Sequence, residues 1–349
     1  MWFDSFSRAA DKDDPCEIFE NGRAIVDKGR NYVFSEPLEA AIDVAIGLGR
    51  PLLVSGEPGC GKTELGYAIA RRMRMTRVHF FSTKSNSEAR DLFYSYDAIS
   101  RFRDAQARAS GFEDAPDIAD YVEFGALGSA ILDAHPKPEV AHLLRGRRPY
   151  QHPGQPTQSV VIVDEVDKAS RDFPNDLLRE VEDLAFRVPE LGRGGPSGDL
   201  EPETPGGIPA GSRPIIVITS NEERQLPDAF LRRCVFHEIA FPDSKTLGRI
   251  IASGLEKRFP KTAGGFDLPD PDRELLTDLL QEFRTLRLDK RPGISELIDA
   301  AALLAYPVDR PPPSLSSRLW ATVPALAKLK SDRAELTALI ERKVQLDAS

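Results

Sequence analysis

Three observations predict an α/β chain built on a central parallel sheet, with a small all-helical domain following it. Apolar runs at Leu52-Leu53-Val54, Val160-Val161-Ile162-Val163 and Ile215-Ile216-Val217-Ile218 each run out onto glycine or polar residues. Continuous apolarity ending on polar tips marks strands buried on both faces. Behind the first run, Leu65, Ala68, Ile69 and Met73 recur at helical spacing, as a strand-to-helix unit requires. From Asp243 onward the composition turns helical.

The 349 residues exceed one typical domain and suit a large α/β unit with a smaller companion. A formal charge of -9 gives no basic footprint, which argues against nucleic acid as a constitutive partner. The three cysteines, Cys16, Cys60 and Cys234, are too few and too scattered for a disulfide framework or a zinc site, so a reducing, cytoplasmic setting is expected. Neither a signal peptide nor a bilayer-crossing stretch of roughly 20 apolar residues is expected.

Taken in order, residues 1–31 read as a polar, mixed-charge extension that is at most partly ordered. Ser35-Glu36-Pro37 opens a helix whose stripe is Leu38, Ala41, Ile42, Ala45 and Ile46. That helix feeds the strand Leu52-Leu53-Val54, and the strand runs into Gly56-Glu57-Pro58-Gly59-Cys60-Gly61-Lys62-Thr63-Glu64. The pattern GxxxxGKT between a strand and a helix is a phosphate-binding loop. Gly56, Gly59 and Gly61 let successive amides turn inward, and the helix start adds positive dipole. Lys62 then reaches the β and γ phosphates, and the Thr63 hydroxyl is placed to ligate Mg²⁺. A nucleoside triphosphate with Mg²⁺ is implied, and a loop that reads only phosphates leaves ATP or GTP open.

Arg77–Phe81 reads as a second strand, followed by a helix through Ala89, Leu92 and Phe93. The stretch from about 94 to 125 is neither cleanly helical nor strand-like and looks like an insertion. Helix resumes at Leu127–Leu132, and a turn-rich segment leads to the next strand.

That strand ends on Asp164-Glu165. An acidic pair at such a tip can hold Mg²⁺ through water and activate an attacking water, although the same pair could simply cap a helix. The presence of a phosphate loop favours the first role for Asp164 and Glu165. A helix over Pro174–Leu184 follows, and then a glycine-rich excursion over 186–213. The run Ile215–Ile218 ends at Thr219-Ser220-Asn221. There Asn221 can bond a γ phosphate and a water, and plain turn chemistry also accounts for it. Leu226–Arg233 is a short helix ending in Arg232 and Arg233, placed where a side chain could face a neighbouring subunit's nucleotide.

Helices then read through Leu247–Leu255, Leu275–Phe283 and Ile294–Leu304, the last opened by Lys290-Arg291-Pro292-Gly293 with Pro292 near its first turn. Pro311-Pro312-Pro313 is a spacer. Leu315–Leu329 is expected to be helical and broken by Pro324, and the amphipathic tail Ala334–Val344 is expected to pack within the chain or on a partner.

Together, Gly56–Thr63, Val161–Glu165, Thr219–Asn221 and Leu226–Arg233, followed by a helical lid, resemble a MoxR-like AAA+ ATPase of the helix-2-insert clade. The resemblance covers residues from about 32 to 306. It implies an αβαβα core with strand order 5-1-4-3-2 over 32–242, carrying the insert at 94–125 and a hairpin within 186–213. It also implies a lid over 243–306, and 307–349 is left as spacer and tail. Lys62 and Thr63 match the phosphate-loop lysine and metal ligand, Asp164 and Glu165 the Walker B pair, and Asn221 the first sensor. Arg233 matches a finger acting in trans, with Arg232 standing where the family usually has Asp, so either arginine is a candidate. Arg291 lies near the second sensor's position outside the usual local sequence. The resemblance further implies a homo-oligomeric ring, commonly a hexamer, that remodels a protein partner, in some relatives one with a von Willebrand factor A domain. The alternative is an ATP-gated signalling scaffold of a bacterial antiphage system with slow turnover.

Overall fold

The computed structural model describes residues 6, 17–25, 28–30, 32–109, 117–145, 150–192, 204, 207–209, 211–258, 266–267, 270–286, 288–307 and 315–347. The triple-proline spacer and half of the glycine-rich excursion lie outside them. The chain divides into two compact units. One comprises Met1–Arg30, Phe34–Ser55 and Lys62–Glu238; the other comprises Asn31–Val33, Gly56–Gly61 and Ile239–Ser349.

In the first unit, β1 (Ile18–Glu20) and β2 (Arg23–Ile25) precede α1 (Glu36–Leu48). The Ser35 side chain caps α1 by accepting from the Leu38 amide, and Gly49 closes it in the left-handed conformation. Next come β3 (Leu52–Gly56), α2 (Lys62–Arg72) and β4 (Arg77–Ser82). After β4 the expected helix is only a 3₁₀ turn, Ala89–Leu92. The insert is itself structured: β5 (Tyr94–Tyr96) pairs antiparallel with β6 (Val122–Phe124), and α3 (Ala98–Ala109) lies between them in sequence. Then follow α4 (Ala126–Ala134), α5 (Lys137–Val140) and β7 (Val160–Asp164). The single helix expected over Pro174–Leu184 is instead two pieces, α6 (Phe173–Asp176) and α7 (Leu178–Asp183), separated at Leu177. β8 (Ile215–Thr219), α8 (Asp228–Leu231) and β9 (Val235–Ile239) complete the sheet region.

The sheet has seven strands in the order β2-β1-β4-β7-β8-β3-β9. Read from β9, its five core strands give the expected order 5-1-4-3-2. β4, β7, β8 and β3 are mutually parallel, with Val54 opposite Thr219, Val163 opposite Ile218 and Ser82 opposite Asp164. This register brings Thr219 and Asp164 to the C-terminal ends of their strands. In an open parallel sheet that edge is where ligands bind. Within the N-terminal segment, β1 pairs parallel with β4, and Phe6, fully buried, donates its amide to Asp43 Oδ1 at 2.7 Å. The core between the sheet and its helices collects Leu53, Val161, Val163, Ile216, Ile218, Leu127, Ile131 and Phe173.

In the second unit, α9 (Ser244–Arg258), α10 (Asp270–Thr285), α11 (Ile294–Leu304), α12 (Leu315–Leu326) and α13 (Lys330–Asp347) pack together, and β10 (Phe266–Asp267) pairs with β11 (Tyr306–Pro307). Leu336, Leu339 and Ile340 of α13 are fully buried in one cluster with Leu247, Ile251, Leu297 and Leu319, so this tail packs within the chain. Pro324 sits inside α12 without ending it. With no N–H, it leaves the carbonyl of Trp320, four residues earlier, without its usual helical donor. Pro292 lies before α11 rather than in its first turn. Gly293 is the cap, and its amide donates to Glu296 Oε2 at 2.6 Å.

Candidate functional site

The loop after β3 has the backbone that the motif demands. Gly56, Gly59 and Gly61 all have positive φ, at 146°, 78° and 94°. Residues with a Cβ rarely adopt such angles, and this run of them turns amides toward a common concavity. The loop ends on α2, whose first residue, Lys62, is 6% exposed. An ammonium so deeply placed at a helix start fits an anionic ligand. Cys60 is buried in the loop, while Glu64 has turned its Oε2 to the Gly29 amide at 2.6 Å, tying it to the N-terminal segment.

Opposite Thr63, within the first unit, lies Asp164. The Thr63 hydroxyl donates to Asp164 Oδ1 at 2.7 Å, and the Thr219 hydroxyl donates to the same oxygen at 2.8 Å. A hydroxyl and a carboxylate oxygen in contact are the donor pair that a hard, oxygen-seeking cation shares with phosphate and water, so Mg²⁺ fits here. Glu165 follows in the left-handed region, φ 57° and ψ 51°. Its amide donates to the Thr219 hydroxyl at 2.8 Å. Its Oε1 accepts from Asn221 Nδ2 at 2.9 Å, and its Oε2 is paired with Lys168. Residues predicted at the ends of two strands, Asp164 and Glu165 at the tip of β7 and Asn221 after β8, are therefore brought together, and Thr63 joins them.

Three further residues were missed in the sequence. Asp167, 3% exposed, accepts from the Asn221 amide at 3.2 Å and the Glu223 amide at 2.9 Å, fixing the loop that carries Asn221. Lys168 has its pKa raised, chiefly by its hydrogen bond to Glu165. Spacing held a signal for it, since Lys168 lies three residues after Glu165, the distance that brings side chains together on a helical turn. Thr219 carried no signal of its own.

Arg233 is engaged within its own chain. Its Nε lies 3.1 Å from Glu182 Oε1, and its Nη1 donates to the Ala229 carbonyl at 3.2 Å. Arg232 is exposed. In the second unit, Arg291 Nη1 lies 3.7 Å from Glu57 Oε1, with both side chains largely exposed. Cys234 has its thiol pKa pushed up to about 12 by burial, which makes it inert at neutral pH. Among the described residues no helix is long and apolar enough to cross a membrane.

The model of the AAA domain (dynein-related subfamily) matches residues 51–234, which span the phosphate loop, the acidic strand tip, β8 with Asn221 after it, and the paired arginines. The chain belongs to this dynein-related AAA domain family. No curated protein matches this AAA chain. Among solved structures, a point mutant of Thermotoga maritima RuvB is similar at 13% identity and a TM-score of 0.43, over 89% of this chain and 72% of that one. The FIGL-1 AAA domain in complex with ADP is similar at 14% identity and a TM-score of 0.38, over 84% and 78%. The strand order, the phosphate loop and the helical C-terminal region are those of the AAA+ fold.

Proposed function

We propose that this chain is an ATPase of the MoxR-like branch, working as a homo-oligomeric ring, commonly a hexamer, and changing the conformation of a partner protein with each cycle. The observation that carries the reading is the meeting of Thr63, Asp164, Glu165 and Asn221, with Thr63 Oγ1 to Asp164 Oδ1 at 2.7 Å and Asn221 Nδ2 to Glu165 Oε1 at 2.9 Å. The loop amides and Lys62 bind the phosphates of ATP, while Thr63 and Asp164 hold Mg²⁺. When bound, Mg²⁺ supplies neutralisation of the charge that develops on the transferring phosphoryl group. Glu165 accepts a proton from the attacking water, and Asn221 keeps the carboxylate facing it. Arg233 is the finger offered to a neighbouring subunit, with Arg232 next to it. Arg291 is the candidate second sensor, and a partner with a von Willebrand factor A domain fits the remodelling role.

The test is Glu165→Gln. It keeps the shape and the Asn221 contact but removes the base, so phosphate release should fall by about 10² to 10⁴ while ATP binding survives. Turnover at the wild-type rate in that variant would remove Glu165 from the role. Light scattering with and without ATP and Mg²⁺ tests the ring in parallel.

One observation favours a second reading. Both Glu165 oxygens are engaged by the chain's own Asn221 and Lys168, as suits an ATP-gated signalling scaffold with slow turnover. A partner that binds on ATP addition alone, without phosphate release, supports the scaffold; a partner released only on hydrolysis supports the remodeller.

A further inference from the structure

The hydroxyl of Thr219 occupies a place that the reaction as described does not use. Thr219 closes β8 and is wholly buried. Its single proton goes to Asp164 Oδ1 at 2.8 Å, and a lone pair of the same oxygen receives the Glu165 amide at 2.8 Å. One atom therefore touches both members of the acidic pair. It holds the side chain of Asp164 and the backbone of Glu165.

The second contact matters because of where Glu165 sits. At φ 57° and ψ 51° it is left-handed, and glutamate has neither the freedom of glycine nor the short local hydrogen bonds that let asparagine settle there. Something outside the residue must hold it. The parallel register sets Val163 opposite Ile218, so the next residue of each strand falls side by side, and Thr219 lies where its hydroxyl meets the Glu165 amide at the turn. The turn swings the Glu165 side chain off the strand direction and onto Asn221 Nδ2 at 2.9 Å. Were the residue to relax to extended backbone, its Cβ would point elsewhere and that contact would be lost.

We propose that Thr219 is a positioning residue for hydrolysis: its hydroxyl sets the left-handed turn that aims Glu165, and also steadies Asp164. The inference rests on the ATPase reading given above. It assigns Thr219 no contact with substrate.

The experiment compares Thr219→Val and Thr219→Ser in the full-length chain. Valine matches threonine in shape and suits a strand, so the fold is kept while both hydrogen bonds go. Serine keeps the hydroxyl. Phosphate release is measured against ATP concentration, and nucleotide affinity is measured separately with a fluorescent ATP analogue. Misplacement of a catalytic group by about 1 Å costs on the order of 10²-fold, so Thr219→Val should lower kcat about 10- to 100-fold. Its nucleotide affinity should stay within about threefold of wild type, and Thr219→Ser should recover most of the rate. A valine variant with wild-type kcat overturns the proposal. So does a serine variant as impaired as valine, which would assign the effect to packing, and so does a valine variant that loses affinity and rate together.

A crystal structure of Thr219→Val separates this inference from the function it rests on. Glu165 leaving the left-handed region and losing Asn221 supports the positioning role even if wild type proves silent as an ATPase. Glu165 unmoved in that structure overturns it whatever the turnover.

Discussion

Removing the carboxylate of Asp133 should be among the most damaging single changes in the first unit. Asp133 lies in α4 with no exposed surface, and its two oxygens serve three partners from two other segments. Oδ2 takes Arg77 Nε at 2.8 Å and His79 Nε2 at 2.9 Å, both from β4, and Oδ1 takes the Tyr150 hydroxyl at 2.9 Å. Arg77 keeps two other contacts, with the Tyr150 hydroxyl at 3.2 Å and the Gln151 carbonyl at 2.9 Å, and 22% of its side chain reaches solvent. His79 is only 5% exposed. Asp133→Ala therefore strands a buried imidazole and a half-satisfied cation, for which breaking a buried pair sets a cost of about 3 to 5 kcal/mol. Asp133→Asn keeps the Tyr150 bond and leaves a polar group beside His79, so about 2 kcal/mol is expected. Tyr150→Phe loses one hydroxyl, about 1 kcal/mol. Calorimetric unfolding with hydrogen exchange at β4 and α4 reads the order Ala, Asn, Phe. If the cost is the unpaired charge, the double variant Arg77→Met with Asp133→Leu should be less destabilised than Asp133→Ala alone. An Asp133→Ala protein within about 1 kcal/mol of wild type would refute the reasoning.

Other expectations can be checked alongside. His135 is fully buried, and among the described residues neither ring nitrogen has a hydrogen-bond partner; Glu139 Oε2 lies 3.6 Å from Nδ1, yet burial outweighs it and pushes the pKa below the ordinary histidine value near 6.5. The unfolded chain then takes up a proton that the folded one refuses, so stability present above about pH 6.5 falls as pH drops toward the folded pKa, by at most about 1.4 kcal/mol per pH unit. Melting temperature against pH for wild type and His135→Leu checks this, and the variant should show a flatter acid limb. Gly128 in α4 admits no side chain, because a Cβ there would lie 1.9 Å from the Phe93 carbonyl oxygen, whereas among the described residues nothing lies within 4 Å of one at Gly248 in α9. Gly128→Ala should destabilise by more than about 3 kcal/mol, and Gly248→Ala should stabilise by up to about 1 kcal/mol, both by denaturant titration. Arg233→Ala should cost little stability, since Arg233 and Glu182 are 42% and 57% exposed, yet lower the turnover of the assembled protein by about 10³ or more. A loss that follows Arg232→Ala instead moves the finger to Arg232.

What the sequence made legible about the fold follows from where signals are strong. The runs ending in Val54, Val163 and Ile218 are apolar throughout because each strand is covered on both faces, and that alone places three neighbouring strands. β1 and β2 have three residues each and include Glu20 and Arg23, too short and too polar for any periodicity to show. α3 was missed for a different reason. Its attached side is polar, with Arg101 donating to the Tyr96 hydroxyl at 2.7 Å and Asp104 accepting from the Tyr121 hydroxyl at 2.8 Å. Its large apolar residues, Ile99 and Phe102, are 73% and 65% exposed. A pattern search that expects the apolar stripe to face inward finds nothing coherent in such a helix.

At the site, the identity of the residues that gather was legible and their conformation was not. Lys62, Thr63, Asp164, Glu165 and Asn221 follow from residue type and order, because a phosphate, a cation and a water each demand a particular side chain at a strand tip. The left-handed backbone of Glu165 does not follow, since local preference points the other way. It arises only once β7 and β8 lie side by side and Thr219 can reach across to the Glu165 amide. The same holds for Asp167, whose carboxylate collects the Asn221 and Glu223 amides after the fold has brought them near. Both residues act on backbone N–H groups, which every residue but proline carries, so no change in the partner's side chain reveals the contact. Through such contacts a substitution can redirect the Glu165 side chain without touching it.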